Sequence, residues 1–204
     1  KKQELPAETI PSVIFYLTFN LAKAGQLQNE KNHENFYKTV ADWYESSRNQ
    51  HNMETRLNVL LSLIAMSWNN KNTLNKWAKE FIGILSGESH KLSEKAVRDL
   101  AMIVSSSDLL VRLEKEQADY LIDVLINKRI MLGPVDYVRL MGRLAELSEI
   151  LGNKMQVFTG MMAYYISVYP NHKSSFQSLV TKLNSHGIIS NESSLHLFRA
   201  TAFQ

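Results

Sequence analysis

Residues 53–68, METRLNVLLSLIAMSW, carry the strongest structural signal in this chain. Leu57, Leu61 and Ile64 recur at the i, i+4, i+7 spacing of one helical face. From 59 to 66 the segment is also apolar on its other faces, which is typical of a helix that packs among several neighbours. The segment therefore predicts a central α-helix in a helical protein.

Helical periodicity continues on both sides of this segment and predicts about ten helices, each about four turns long, with short polar connections. Their predicted ranges are 12–24, 34–48, 53–68, 73–85, 93–104, 108–129, 134–151, 155–169, 171–185 and 191–203. The 204 residues include only 8 Gly and 4 Pro, too few for the many turns of an all-β sandwich. We therefore predict an all-α fold.

Paired in chain order, the predicted helices make five helical hairpins. The hairpins begin near residues 12, 52, 91, 134 and 172. A spacing of about 40 residues is the size of tetratricopeptide or HEAT repeats. Two arrangements agree with it: stacked antiparallel hairpins that form an α–α superhelix, and a repeat-like helical bundle with short connections.

One hairpin resembles a tetratricopeptide unit. Leu140, Met141 and Gly142 lie in its first helix, and Pro170 follows its second helix. Tetratricopeptide units favour Leu-Gly in the first helix and Pro after the second. The spacing here differs by a few residues, and the resemblance covers one of the five hairpins. It implies a shape, a pair of antiparallel helices that stacks on its neighbours.

Neither a Gly- or Ser-rich linker nor a low-complexity tract divides the chain, which predicts one helical domain over residues 1–204. Gly133 and Pro134 are the strongest break, and they place a hinge near residues 131–134 if the domain has two halves. No apolar run approaches the roughly 18 to 20 residues of a membrane-spanning helix. We expect a soluble, cytoplasmic domain whose first residue, Lys1, results from processing or trimming.

Several chemistries are excluded by residue type or spacing. The absence of cysteine excludes disulfides, thiol nucleophiles and Cys-ligated metal sites. The six histidines lack metal-binding spacing and fall mostly at predicted helix ends, where capping or surface roles are usual. Nucleophile-elbow, Walker and dinucleotide-binding glycine motifs are also missing. We therefore predict a protein without a catalytic centre, a metal site or a cofactor.

Protein–protein interaction is the function that we expect, in an adaptor, scaffold or chaperone-like domain. A stack of hairpins exposes an apolar face at each end unless a polar cap covers it. The first helix carries Val13 and Leu17 among other apolar residues. The last helix carries Leu195, Phe198 and Phe203. We predict association with another protein, or with a second copy, through this C-terminal helix.

Arg139 and Arg143 are further candidates for protein binding. Their i, i+4 spacing points both side chains the same way from the helix, which suits a clamp on an acidic peptide or a phosphate. Salt bridges with Glu146 or with a neighbouring helix are the structural alternative.

The alternative function is nucleic-acid binding by a basic surface around residues 48–79. Its candidate residues are Arg56, Lys71, Lys76 and Lys79, with Trp68 and Trp77 nearby. A basic groove with aromatic side chains is typical of single-strand binding, although tryptophans at helical spacing usually belong to the core. The net charge of +3 permits an acidic partner without favouring nucleic acid. An enzyme with an unrevealed site is a third hypothesis.

Overall fold

The structure is a computed structural model, and it describes residues 9–23, 30–67, 70–106, 109–148, 152 and 154–202. These residues form twelve α-helices and no β-strand, which confirms the all-α prediction. The helices are α1 (Ile10–Lys23), α2 (Glu30–Ser47), α3 (Met53–Met66), α4 (Lys71–Glu88), α5 (Glu94–Ser106), α6 (Leu109–Arg112), α7 (Lys115–Asn127), α8 (Pro134–Glu146), α9 (Lys154–Thr159), α10 (Met162–Val168), α11 (Lys173–Ser185) and α12 (Asn191–Ala202). None of the helices in the described part of the chain is long and apolar enough to cross a membrane.

The chain divides into two compact units. The first comprises residues 1–99 and 107–121, and the second comprises residues 100–106 and 122–204. Residues 131–134, where the sequence predicts a hinge, lie inside the second unit. The single domain and its hinge stay predictions.

Helix α3 is the centre of the first unit. Helices α1, α2 and α4 all pack against it. Its buried residues surround the helix: Leu57, Val59, Leu60, Leu61, Ser62, Leu63, Ile64 and Met66. The predicted central helix is confirmed. Trp77 of α4 is buried as well, so its interpretation as a core residue is confirmed, whereas Trp68 lies outside the described residues.

In the second unit, α12 packs against α11 and α10, and α8 packs against α11 and α9. Helices α11 and α12 thus form a hairpin as predicted, like α3 and α4 in the first unit. The contacts of α1 with α3 and of α8 with α11 join the first helices of successive hairpins. The first helices of neighbouring hairpins therefore pack against each other in both units.

The repeat of about 40 residues is visible in the burial pattern. Four equivalent positions in the first helices of successive hairpins are all buried: Leu57, Val97, Tyr137 and Phe176. A three-residue 3₁₀ turn also follows the second helix of each of the first four hairpins, at Arg48–Gln50, Ser89–Lys91, Arg129–Met131 and Pro170–His172. Side-chain size differs at equivalent positions, which is why the repeat is weak in residue identity.

Capping side chains or a proline mark the start of three of the first helices. The Asn52 side chain accepts a hydrogen bond from the backbone N–H of Thr55 at 2.9 Å, which caps α3. The Ser93 hydroxyl accepts the N–H of Ala96 at 3.2 Å and caps α5. Pro134 is the first residue of α8. A backbone N–H at this position has no partner within the helix, so proline is tolerated there. These residues are start signals that the sequence displays.

Two segments that the sequence predicts as single helices each form two helices, so these two predictions are wrong. The predicted helix 108–129 is broken between α6 and α7, where the Gln117 side chain accepts the N–H of Glu114 at 3.2 Å and starts a new helix. The predicted helix 155–169 is broken at Gly160 and Met161, between α9 and α10. The predicted number of about ten helices consequently becomes twelve in the described part of the chain.

Candidate functional site

In the C-terminal helix α12, one polar side chain is buried and the apolar side chain next to it is exposed. Ser194 is buried with 7% of its surface exposed, whereas the next residue, Leu195, is 51% exposed. Helix α12 packs against α10 and α11, and Leu195 points away from that packing. An exposed leucine gains free energy when a partner covers it, so Leu195 is a candidate contact residue.

Of the other predicted residues on this helix, Phe198 lies in α12 with its side chain outside those that the structure describes. Phe203 lies outside the described residues. Leu195 is therefore the residue that anchors the candidate site.

The turn between α11 and α12 fixes where α12 begins. Gly187 ends α11 in the left-handed region, with φ of +67°, which glycine adopts without strain. The N–H of Gly187 donates to the Asn184 carbonyl and the N–H of Ile188 to the Leu183 carbonyl, both at 2.9 Å, which together form a Schellman cap. The Asn184 side chain also donates to Oδ1 of Asn191, the first residue of α12, at 2.9 Å.

The N-terminal helix has an exposed apolar face as well. Val13 is 41% exposed and Leu17 is 44% exposed, while Ile14 and Phe15 are buried. Tyr16 lies beside them and is 48% exposed. The prediction that the first helix has more apolar surface than its neighbours cover is confirmed for these residues.

Arg143 and Arg139 of α8 have different surroundings. Nη1 of Arg143 donates to Oε2 of Glu146 at 2.7 Å, so the predicted salt bridge with Glu146 is present. Lys182 of α11 donates to the other carboxylate oxygen of Glu146, also at 2.7 Å. Hydrogen bonds from Lys182 and from Arg143 lower the pKa of the Glu146 carboxyl. Arg139 is exposed, one turn before Arg143.

The predicted basic surface around residues 48–79 is partly neutralised. Arg56 lies 3.5 Å from Glu80, and Lys76 pairs with Glu45 while lying 4.2 Å above the Trp77 ring. Lys71 and Lys79 are exposed, and no carboxylate among the described residues pairs with them. Nucleic-acid binding here stays a prediction, with two of its four cations already paired.

Glu80 joins three helices of the first unit, a feature that sequence reasoning missed. Its carboxylate accepts the Tyr44 hydroxyl at 2.9 Å and Nη1 of Arg48 at 3.2 Å, in addition to the contact with Arg56. Burial raises the pKa of Tyr44 to about 12. The guanidinium Nε of Arg56 is buried without a hydrogen-bond partner among the described residues.

The nearest approach to a nucleophile and base is the pair Ser47 and His51. Nε2 of His51 lies 3.0 Å from Oγ of Ser47. The Ser47 hydroxyl donates its proton to the Trp43 carbonyl at 2.7 Å, so the imidazole is not placed to remove that proton. The imidazole instead packs on the Trp43 ring, with centroids 4.9 Å apart.

Within the described residues, no three His, Asp or Glu side chains converge on a point that could hold a metal ion. His90 lies in a 3₁₀ turn, and His172 and His186 flank α11, as the predicted placement at helix ends requires.

No protein-family model, no curated protein and no solved structure matches this chain.

Proposed function

We propose that this chain is a non-catalytic protein–protein interaction module, an adaptor, scaffold or chaperone-like helical domain. The observation that carries the proposal is the pair of neighbouring residues in the C-terminal helix α12 of which Ser194 is buried and Leu195 is exposed. Burying a leucine side chain completely contributes roughly 1.5 to 3 kcal/mol. A partner that covers the exposed half of Leu195 gains the corresponding part of this free energy. A cytoplasmic location belongs to the proposal and is tested by cell fractionation.

Leu195→Ser tests the proposal in the full chain. We expect the variant to keep its helical circular dichroism, because Leu195 is exposed, and to lose association. Self-association is measured by light scattering over a range of concentrations, and other partners by affinity capture with mass spectrometry.

Ile130→Ser is the matched control, since Ile130 is also an exposed apolar residue of the second unit, with 72% of its surface exposed. It should retain every partner that Leu195→Ser loses. Unfolding of Leu195→Ser, or equal loss of partners in both variants, would show that α12 is not the binding element.

A further inference from the structure

Helices α8 and α11 pack side by side and bring three cations to one face. Arg143 and Lys182 each hold one oxygen of the Glu146 carboxylate at 2.7 Å. Lys182 reaches Glu146 across Gly142 of α8, because a Cβ at Gly142 would lie 3.9 Å from the lysine Nζ. Arg139 lies on the same stripe of α8 as Arg143 and is exposed.

Positive charge exceeds negative charge on this face. No carboxylate among the described residues lies within ion-pair distance of Arg139. Helix α11 contains Lys173 and Lys182 and no acidic residue, and its exposed positions are hydroxyl-bearing: Ser174, Ser175, Ser178, Thr181 and Ser185. Asp136, the other acid of α8, has an interaction of its own and lies close enough to Tyr165 to help raise its pKa.

We infer that the α8–α11 face binds an acidic segment of a protein partner through Arg139, Arg143 and Lys182, with Glu146 as an internal carboxylate that competes for the last two. The inference rests on the proposed function and names the chemistry of its partner. Glu146 shows that a carboxylate fits between Arg143 and Lys182 with short bonds to both. A partner carboxylate one helical turn along α8 reaches Arg139 in the same way.

A protein carboxylate suits this face better than a nucleic acid does. Tight binding to nucleic acid needs many phosphate contacts, whereas this face has three cationic side chains. Single-strand binding also relies on exposed aromatic rings. The aromatic residues of α8 and α11, Tyr137 and Phe176, are both buried.

The probe is a fluorescent oligoglutamate peptide of about ten residues, titrated with the full chain at low ionic strength and followed by anisotropy. We expect Arg139→Gln combined with Lys182→Gln to weaken binding by about fivefold or more, because each exposed charge pair contributes up to about 1 kcal/mol. Glu146→Gln should strengthen binding by about threefold, because it removes a carboxylate that competes with the partner for Arg143 and Lys182.

Lys71→Gln combined with Lys79→Gln is the matched control. It removes the same charge from exposed lysines of the first unit and should leave the affinity unchanged. Equal weakening in both double variants, no gain with Glu146→Gln, or no binding of the wild-type chain overturns the inference. Binding of single-stranded DNA at these residues without binding of oligoglutamate overturns it too. The Leu195-dependent association is measured without the peptide, so either proposal can fail alone.

Discussion

Gly83 occupies an exposed position within α4, where nothing in the packing requires a glycine. A Cβ placed there meets no atom within 4 Å. Glycine in a helix interior costs about 1 kcal/mol relative to alanine. We expect Gly83→Ala to raise the free energy of unfolding by up to about 1 kcal/mol, measured by urea denaturation.

Gly187→Ala is the opposite control for this substitution. Gly187 has φ of +67°, a conformation that strains an L side chain. The variant should lower the free energy of unfolding by about 1 to 2 kcal/mol. Changes of the same sign in both variants would contradict the helical geometry of α4 or the left-handed cap of α11.

At the scale of single residues, the sequence can predict interactions between residues that lie a few positions apart in the chain. The cap at Asn52 and the salt bridge between Arg143 and Glu146 both join residues three apart. The approach of Lys182 to Glu146 could not be predicted, because it joins residues 36 apart on two helices whose rotation the sequence leaves open. The sequence therefore predicts Glu146 as a partner of Arg143, but it does not predict the contact of Lys182 with Glu146.

At the scale of elements, a tyrosine of α10 holds the connection between α7 and α8. The Tyr165 hydroxyl lies 2.7 Å from the Leu132 carbonyl and 2.9 Å from the Arg129 carbonyl, both in that connection. The Tyr165 ring also stacks on Tyr137 of α8, with centroids 4.1 Å apart. Tyr165→Phe should lower the free energy of unfolding by about 1 to 2 kcal/mol, because it removes the hydroxyl that donates to the buried Leu132 carbonyl.

Tyr164→Phe serves as the control on the same helix. Tyr164 is 52% exposed, so its hydroxyl contributes little to the fold. Chemical denaturation should show a change below about 0.5 kcal/mol for this variant. An equal effect of the two substitutions would mean that the Tyr165 hydroxyl does not anchor the connection.

The helices themselves follow from apolar periodicity and from start signals, whereas their interruptions do not. Glu114 and Gln117 start α7 by a contact that competes with continuing α6, and the sequence does not show which outcome has the lower free energy. Gly160 is a weak helix former, but Gly83 and Gly142 lie within unbroken helices. A glycine alone therefore does not predict a break.

At the scale of the whole molecule, buried tyrosines predict a loss of stability at alkaline pH. Burial raises the pKa of Tyr44 and of Tyr165 to about 12, and it raises the pKa of Tyr137 further. In the unfolded chain a tyrosine loses its proton near pH 10. The folded state keeps the proton longer, so stability should fall between about pH 10 and pH 12, by up to roughly 2 to 3 kcal/mol per tyrosine.

Urea denaturation of Tyr44→Phe at several pH values checks this prediction. At neutral pH the variant should be less stable than the wild type, because it lacks the hydrogen bond to Glu80. Above pH 10 the difference should narrow, since the variant has no proton to lose at this position. Parallel curves for the two proteins up to pH 12 would contradict a raised pKa for Tyr44.

The hairpin spacing also explains how far apart in sequence the residues of the polar contacts between helices lie. Tyr44 and Glu80 are 36 residues apart, Tyr37 and Trp77 are 40 apart, and the contact between Asn75 and Glu114 spans 39. The predicted repeat of about 40 residues thus indicates how far apart in sequence the contacting residues lie. The repeat does not predict which residues contact each other, because that depends on the rotation of each helix about its own axis.

The recurring 3₁₀ turns limit how this chain can change in length. The turns begin at residues 48, 89, 129 and 170, so each hairpin has nearly the same number of residues. One residue inserted within a helix rotates everything after it by about 100°, which would turn Val97 or Tyr137 out of its buried position. Insertions and deletions should therefore be tolerated in the connections, or as whole hairpins, and should be harmful within the helices.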